Sequence, residues 1–326
     1  MTYSTELDSF ISLAGKWQEL LATGATNHVF LTPQWQRAWW QVFGNSHELL
    51  LISVREDSEL VGIAPMMRQD ERLSFIGSGD VCDYMDFIVR QGREDFVFPR
   101  LLDYLEPLEW GTIYLESLLP HSLALSHLAP LARQRGYQVQ IEPMDVSPQL
   151  LLPPSWEEYL ALLKAKDRHE LRRKLRRLEQ AKSTRSYTIT EKEPLPREME
   201  SFFALFKMSD FEKAHFMTDQ KRAFFEAMVS ALAEKGNVRL SFLEVGGVRA
   251  ASCLCFDYAN EVYLYNSAYD PAYAPLSVSL LLKVFCIRDA INDGKKRFDF
   301  LRGNEPYKYD LGGQDVPVYR CVISRS

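Results

Sequence analysis

The spacing of hydrophobic positions changes along the chain between a helical period and strand-like runs. Residues 31–44 have helical spacing, with Thr32 placed as N-cap, Pro33 at the first helical position and Gly44 just past the end. A loop at 77–87 runs into a short strand. The other apolar runs before residue 145 predict strands at 48–57, 60–69, 72–77, 112–117 and 137–143, and helices at 94–107 and 123–136.

The later part of the chain repeats this order of elements. Residues 243–255 correspond in pattern to residues 54–66, and residues 296–302 correspond to residues 111–117. Strands are predicted at 237–247, 248–258, 261–270, 296–303 and 317–326, with a loop at 271–275 and a helix at 276–294. The repeat predicts an α/β (α+β) fold built from two related domains in tandem, each a mixed β-sheet flanked by helices.

A proline-marked stretch at 147–156 separates the two halves, so we predict domains at 1–150 and 151–326. The second domain begins with a mostly helical stretch that contains a basic segment at 164–185, with ten Lys or Arg and three acids. A narrow stripe of leucines marks its packing edge. Two interpretations stay open: a solvated helix face, or a face that binds the phosphates of a cofactor, an RNA or an acidic substrate.

Composition limits the classes of function. The chain has 326 residues, 46% hydrophobic and 25% charged, and a formal net charge of −6, so DNA is not an expected partner. The N-terminus lacks a secretory pattern, no apolar run is long enough for a membrane span, and none of the five cysteines forms a CxxC pair. We therefore expect a cytoplasmic protein with reduced thiols and no metal site, and the motifs of P-loop NTPases, serine hydrolases and zincins do not occur.

Candidate chemistry is concentrated in the second half. If the strands at 249–258 and 261–269 separate where they meet the following loop, their backbone groups become available to a ligand. The next helix begins near residues 276–279, and a helix N-terminus favours phosphate. The strand after it leads into FDFLRGNEPYKYDLGG (298–313), which brings an acid, a base and anchoring groups together.

The segments 31–44, 82–87, 167–179, 269–291 and 298–313 together resemble the GNAT-fold acyltransferases of the CelD type, which are relatives of Fem-type peptidoglycan aminoacyltransferases. The resemblance implies a tandem GNAT fold with the active site in the second half. We expect the first domain to be degenerate, because its predicted helix at 94–107 is short and contains Pro99. The resemblance also implies transfer of an acyl group, most readily acetyl from acetyl-CoA, to an amine or hydroxyl of a small molecule or a glycan precursor in exopolysaccharide biosynthesis. The glycine-free segment 273–279 departs from the usual pyrophosphate loop, which keeps aminoacyl-tRNA as an alternative donor and a non-catalytic binding protein as an alternative function.

The same resemblance and the chemistry of amide formation suggest roles for particular residues. Glu305 or Asp299 is the candidate general base, Tyr307 the candidate acid for the leaving thiolate, and Lys308 with Arg302 would hold an anionic group. Each has a structural alternative: a satisfied buried carboxylate for Asp299, packing for Tyr307 and a surface ion pair for Arg302 and Lys308. The predicted donor-binding residues are Ser252, Cys253, Leu276, Ser277, Val278 and Ser279, and the predicted acceptor contacts, on a loop that faces the domain cleft in the family, are Asp83, Tyr84 and Asp86, with Tyr265.

Overall fold

The structure is a computed structural model, and it describes residues 2–181 and 183–325. Its contacts divide the chain into two compact units. The first unit contains the residues up to Asp145 and those from Val316 onward, and the second contains Val146–Asp315. The chain therefore passes between the units twice.

The first unit is built on a mixed sheet with the strand order β1-β2-β3-β4-β6-β13, and β5 pairs with β3. Its strands are β1 (Tyr3–Leu7), β2 (Glu48–Glu56), β3 (Glu59–Gln69), β4 (Arg72–Phe75), β5 (Ile88–Val89), β6 (Thr112–Leu118) and β13 (Gln314–Ser324). Its helices are α1 (Lys16–Ala22), α2 (Pro33–Phe43), α3 (Glu94–Leu105) and α4 (Ala129–Gln134). β2, β3 and β4 are antiparallel neighbours, whereas β4 and β6 run parallel.

The second unit repeats this plan with the strand order β12-β11-β10-β9-β8. Its strands are β8 (Thr184–Ile189), β9 (Val238–Val245), β10 (Val248–Tyr258), β11 (Glu261–Tyr269) and β12 (Arg297–Asp299), and the end of β7 (Gln138–Leu151) pairs with β12. Its helices are α5 (Trp156–Leu162), α6 (Ala165–Glu179), α7 (Leu195–Ser209), α8 (Phe211–Phe216), α9 (Asp219–Ala233), α10 (Val278–Asn292) and α11 (Pro306–Asp310). β11 and β12 run parallel on either side of the α10 crossover, as β4 and β6 do around α3.

Local sequence explains why these hairpins are tight. The two-residue turns Asp57-Ser58, Gly246-Gly247 and Ala259-Asn260 all have positive φ angles. Such turns match the right-handed twist of the flanking strands. At α2, Thr32 accepts a hydrogen bond from the backbone N–H of Trp35 and Pro33 follows it, which confirms the predicted cap. The tandem mixed α/β fold predicted from the sequence is therefore the fold that forms.

Two predicted boundaries differ from the structure. The units meet at Asp145 and Val146, and the last strand, predicted to belong to the second domain, lies in the first unit because it pairs with β6. The basic segment predicted at 164–185 is helical only over α6, because Thr184 and Arg185 pair with β9 as the start of β8. Lys182 of that segment lies outside the described residues.

Candidate functional site

The candidate site lies in the second unit, at a fork between two parallel strands. β11 and β12 pair over three residues each, Glu261–Tyr263 with Arg297–Asp299, while β11 continues to Tyr269. The predicted separation of β10 from β11 is wrong, because these strands stay paired up to Ala251 and Tyr269. The opening is therefore one strand further along the sheet.

Backbone groups of β11 beyond the fork point away from β10. The carbonyl oxygen of Ser267 accepts a hydrogen bond from Lys213 Nζ at 2.5 Å. The backbone N–H of Tyr269 donates to Ser209 Oγ at 2.8 Å, and the same hydroxyl donates to the Tyr269 oxygen at 3.1 Å. The edge of β11 thus offers peptide groups to side chains, as a substrate amide would require.

The helix α10 begins beside this edge, as the sequence predicts. A 3₁₀ turn, Pro271–Leu276, leads into the N-cap Ser277, whose φ of 56° lies in the left-handed region. Left-handed backbone at a non-glycine residue is sparsely populated and concentrates at functional sites. The N–H of Ser277 donates to the Ala274 oxygen, so this group is not a phosphate donor, whereas Val278 and Ser279 stand in the first turn, whose N–H groups have no intrahelical acceptor.

A pocket of about 290 Å³ opens over this helix start. It is lined by Lys174, Tyr269, Ala274, Ser277, Val278, Ser279, Leu280, Lys283 and Tyr307. We call it the cradle pocket. The two lysines in this lining come from different helices. Lys174 Nζ of α6 lies 3.3 Å from Ser277 Oγ, and Lys283 Nζ of α10 lies 2.9 Å from Ser279 Oγ. Together with the positive end of the helix dipole they make the pocket attractive to anions.

Lys283 is unusual because its ammonium group is almost fully buried. The residue is 4% exposed, and its Nζ lies 4.8 Å from the centre of the Tyr307 ring. Burial lowers the pKa of Lys283, and the nearby thiols of Cys253, Cys286 and Cys255 and the Glu305 carboxylate oppose that shift. A buried cation that lines a pocket is costly unless an anion joins it, which favours an anionic ligand.

Lys213 of α8 belongs to the same cluster of charges. Burial, and then the charge of Lys283, lower the pKa of Lys213. Asp210 and Glu305 act in the opposite direction. The hydrogen bond to Ser267 places the Lys213 amine at the β11 edge.

The predicted general base and acid face this cluster. The Glu305 side chain is 55% exposed and its Oε2 lies 2.9 Å from Lys308 Nζ. Tyr307 lines the cradle pocket, and burial followed by the Glu305 charge raises the pKa of its phenol above the ordinary value. Tyr307 therefore keeps its proton and is a weaker acid than a free phenol. Tyr307 thus lies at the same pocket as the helix start at 277–279, and Glu305 precedes Tyr307 by two residues as the N-cap of α11.

Lys308 does not have the predicted role of holding an anionic group. Its ammonium is buried and donates to the carbonyl oxygens of Leu301, Arg302 and Gly303 at 2.8, 2.7 and 3.1 Å. These three carbonyls and Glu305 are four acceptors that share the three N–H donors of the ammonium. Lys308 thus holds the turn after β12, where Leu301 has a φ of 61°, and is not available to a ligand. Arg302 contributes its carbonyl to this turn.

Asp299 is a structural carboxylate, which was the alternative prediction. It is 1% exposed, and its oxygens accept hydrogen bonds from Leu301 N, Ser147 Oγ and Gln149 Nε2 at 2.8, 3.3 and 3.1 Å. A base needs access to the proton that it removes. Asp299 instead orients the turn that carries Glu305.

Ser252 and Cys253 lie beneath the cradle pocket and do not line it. Both are buried in β10, a strand with partners on both sides, and Ser252 Oγ donates to the Ser241 oxygen at 3.1 Å. Burial raises the pKa of the Cys253 thiol. Leu276 ends the 3₁₀ turn, and Tyr265 is the extra residue where the β10–β11 register shifts, packed against the rings of Phe225 and Phe256.

The predicted acceptor contacts of the first unit are mostly inside its core. Asp86 is 2% exposed and accepts hydrogen bonds from the backbone N–H groups of Leu123 and Ala124 at 2.8 and 3.1 Å. Burial nevertheless raises its pKa to about 7. Tyr84 is also buried, with its ring against Phe30 and His28, and Asp83 precedes it on the same loop. Asp86 and Tyr84 therefore stabilise the loop, and an acceptor contact stays a prediction for Asp83.

Sequence reasoning missed Lys283 and Lys213, whereas Lys174 belongs to the basic segment 164–185, for which a phosphate-binding face was one of the two interpretations. Lys283 is the lone charge in the apolar run LLLKVFCI, one helical turn after Ser279, and that spacing was a usable signal. Lys213 and Lys174 lie far from the site in sequence and reach it only through α8 and α6. Among the described residues no group of three or more His, Cys, Asp or Glu side chains is placed to hold a metal ion. No helix in the described part of the chain has the length and apolar character needed to cross a membrane.

Comparison with known proteins agrees with this architecture. A family model described as an acetyltransferase (GNAT) domain matches residues 165–309, which include α6, the cradle pocket and the turn that carries Glu305. No curated protein matches the sequence. The second unit thus contains a GNAT-type domain, and the finer assignment to the CelD type stays a prediction.

Several solved structures share the fold over nearly the whole chain. A structure of FemX matches with a TM-score of 0.68 at 12% identity, covering 97% of this chain and 96% of that one. A tandem GNAT protein from the clavulanic acid biosynthesis pathway matches with a TM-score of 0.54 at 12% identity, covering 100% of this chain and 99% of that one. L-PGS from Bacillus licheniformis matches with a TM-score of 0.55 at 10% identity, covering 90% of this chain and 92% of that one. At these identities the likeness shows the fold alone.

Proposed function

We propose that the second unit transfers an acyl group from acyl-CoA, most readily acetyl-CoA, to an amine or hydroxyl acceptor. The observation that carries the proposal is the cradle pocket, in which the start of α10, Lys174 and the buried Lys283 converge on one anion-sized space beside the β11 edge. The donor set suits a pyrophosphate, since it combines first-turn N–H groups with two ammonium groups. The left-handed Ser277 supplies the turn that glycine supplies in ordinary GNAT loops.

The reaction needs a deprotonated acceptor held against the thioester carbonyl. The acyl group of a donor whose phosphates occupy the cradle would reach the fork, where β11 exposes peptide groups. Glu305 accepts the proton of the acceptor, and its exposed side chain leaves it accessible to an incoming amine. Tyr307, protonated and buried at the same pocket, donates a hydrogen bond towards the leaving sulfur. Asp299 and Lys308 keep the turn that carries Glu305 in place.

The donor site is tested by calorimetric titration of the protein with acetyl-CoA and longer acyl-CoAs. A Ser277→Glu/Ser279→Glu variant places two negative charges in the cradle pocket and should abolish binding. Gln220→Glu, which adds a charge to the first turn of α9, is the matched control and should bind like the wild type. Equal binding by the double variant would contradict the assigned site.

An aminoacyl-tRNA donor is the second candidate, and one observation favours it. Lys174 and Arg177 of α6 contact Ser277 and Pro275, just before α10. The same helix also carries an exposed basic face formed by Arg172, Arg173 and Arg176. Such a face suits a polyanion longer than a coenzyme. RNA binding would show a log–log salt slope of several units, while coenzyme binding would depend on salt much less.

The acceptor that we propose is an amine or hydroxyl of a glycan precursor for exopolysaccharide or cell-envelope biosynthesis. The sequence resemblance to CelD-type proteins supports this class. If the protein binds neither acyl-CoA nor aminoacyl-tRNA, the non-catalytic binding protein is the function that follows.

A further inference from the structure

A lysine of the chain itself lies where an acyltransferase would hold its acceptor amine. Lys213 Nζ donates to the Ser267 carbonyl at 2.5 Å, on the β11 edge next to the fork. The groups whose charges act on the pKa of Lys213 are Lys283 on α10, Asp210 at the start of α8, Cys253 on β10 and Glu305 before α11. The Phe206 ring of α7 lies 5.3 Å from Nζ.

The state of this amine differs from that of the other lysines in the unit. Lys308 has three carbonyls and a carboxylate as partners. Within the described residues Lys213 donates to one carbonyl, and the charge nearest in effect is another cation, Lys283. A neutral amine can keep this hydrogen bond through one N–H and still present its lone pair.

We propose that Lys213 is an internal acceptor, so that the protein acylates its own Lys213 from the bound donor. This inference rests on the proposed acyl-CoA function. The Lys213 nitrogen attacks the thioester carbonyl, the new C–N bond forms, and the C–S bond breaks to release the coenzyme thiol. The proton lost by the amine passes to Glu305 and then to the departing sulfur, so that no other reactant is required.

The product would be a stable amide, so the reaction is a single turnover on each chain. Acylation removes the charge of Lys213 and fills the fork with the acyl group. Acceptors from solution therefore compete with Lys213 for the donor, and a chain that has modified itself is blocked. The modification is an activity of the same site, directed at a residue of α8.

The test uses the full chain incubated with acetyl-CoA, with peptide mass spectrometry as readout and calorimetric donor binding measured in parallel. We expect at most one acyl group per chain, on Lys213, formed at least about 100-fold faster than on the exposed Lys207. Lys213→Arg should lose the modification, whereas Lys207→Arg should acquire it on Lys213 at the wild-type rate; donor binding is measured on the unsubstituted chain.

The outcomes separate this inference from the function on which it rests. Donor binding with equal labelling of Lys213 and Lys207 would overturn the internal acceptor and leave the proposed function standing. Absence of donor binding would overturn both. Labelling of Lys213 that persists in the Ser277→Glu/Ser279→Glu variant would show chemical acylation from solution, and would also reject the inference.

Discussion

Lys283 shows how a single buried charge can serve binding at the expense of stability. Its ammonium has hydrogen bonds to Ser279 Oγ and Ser279 O at 2.9 and 3.3 Å, and an aromatic ring nearby. Burying a charge with so few partners is costly, and replacing it with an apolar side chain of similar volume is often neutral or stabilising. If Lys283 serves binding, its replacement by an apolar side chain should therefore lower the affinity for the donor while leaving stability unchanged or increased.

Lys283→Met is predicted to weaken acyl-CoA binding about 10- to 100-fold, which corresponds to loss of one charge-assisted hydrogen bond. Its urea midpoint should stay equal to that of the wild type or rise. Calorimetry and denaturation measure the two quantities, and the exposed Lys296→Met is the control. Unchanged affinity in Lys283→Met would exclude the cation from the donor site.

The two carboxylates after α10 should separate catalysis from folding. Glu305→Gln is predicted to lower turnover about 100-fold with an unchanged fold, because the amide cannot accept the proton. Asp299→Asn is predicted to lower the free energy of unfolding by about 1–3 kcal/mol, because Asp299 accepts hydrogen bonds from Leu301 N in the turn and from Ser147 and Gln149 on β7. Steady-state rates and urea denaturation distinguish them; full turnover in Glu305→Gln would exclude Glu305 as the base.

Among the elements, the turn after β12 combines left-handed backbone with a buried cation. Leu301 and Gly303 have φ angles of 61° and 107°, and Lys308 ties their carbonyls together. Strained backbone persists only where the surroundings hold it. The element that positions Glu305 thus depends on Lys308.

Lys308→Met is predicted to destabilise the protein by about 3 kcal/mol, because three carbonyl oxygens and Glu305 lose their partner. The measurement is the urea midpoint beside Lys283→Met. The changes in urea midpoint caused by Lys308→Met and Lys283→Met should therefore have opposite signs or differ several-fold in size. A loss as small as that of Lys296→Met would contradict the structural role of Lys308.

Elements with local signals could be predicted from the sequence, and pairings between distant residues could not. Thr32 and Pro33 mark the start of α2, and the loop 271–275 marks the start of α10, because caps and turns act within a few residues. The fork was placed one strand too early because the position where β11 leaves β12 depends on residues 36 positions apart along the chain, such as Tyr263 and Asp299. Lys213 was missed for the same reason.

For the whole molecule, the internal repeat was the strongest signal in the sequence. The order β2-β3-β4-α3-β6 recurs as β9-β10-β11-α10-β12, with the same antiparallel and parallel pairings. The division of the chain was harder to predict, because the last strand joins the first unit through pairing with β6. Polar residues of the first unit, such as Asp86, looked functional in sequence and are structural.

His28 makes the stability of the protein sensitive to acid. Burial, and then the charge of His121, lower the pKa of His28 to about 3 from the model-compound value of 6.5. A depressed pKa means that the unfolded chain takes up the proton first, so this stability is fully present above pH 6.5 and is lost as pH falls towards 3.

His28→Gln is therefore predicted to reduce the acid sensitivity of unfolding by about 2 kcal/mol between pH 6.5 and pH 5. Urea denaturation across this range measures the difference between variant and wild type. The exposed His169→Gln serves as control. Parallel pH profiles for wild type and His28→Gln would contradict the neutral, buried state of His28.

The central claim is that the start of α10, with Lys174 and Lys283, recognises the phosphates of an acyl donor. Calorimetric titration with acetyl-CoA and with phosphate-free acetyl-pantetheine tests it most directly. We predict that removal of the phosphates weakens binding at least about 100-fold, and that a Lys174→Met/Lys283→Met variant loses most of this preference. Equal affinity for the two donors, or a preference that the double variant retains, would contradict the account.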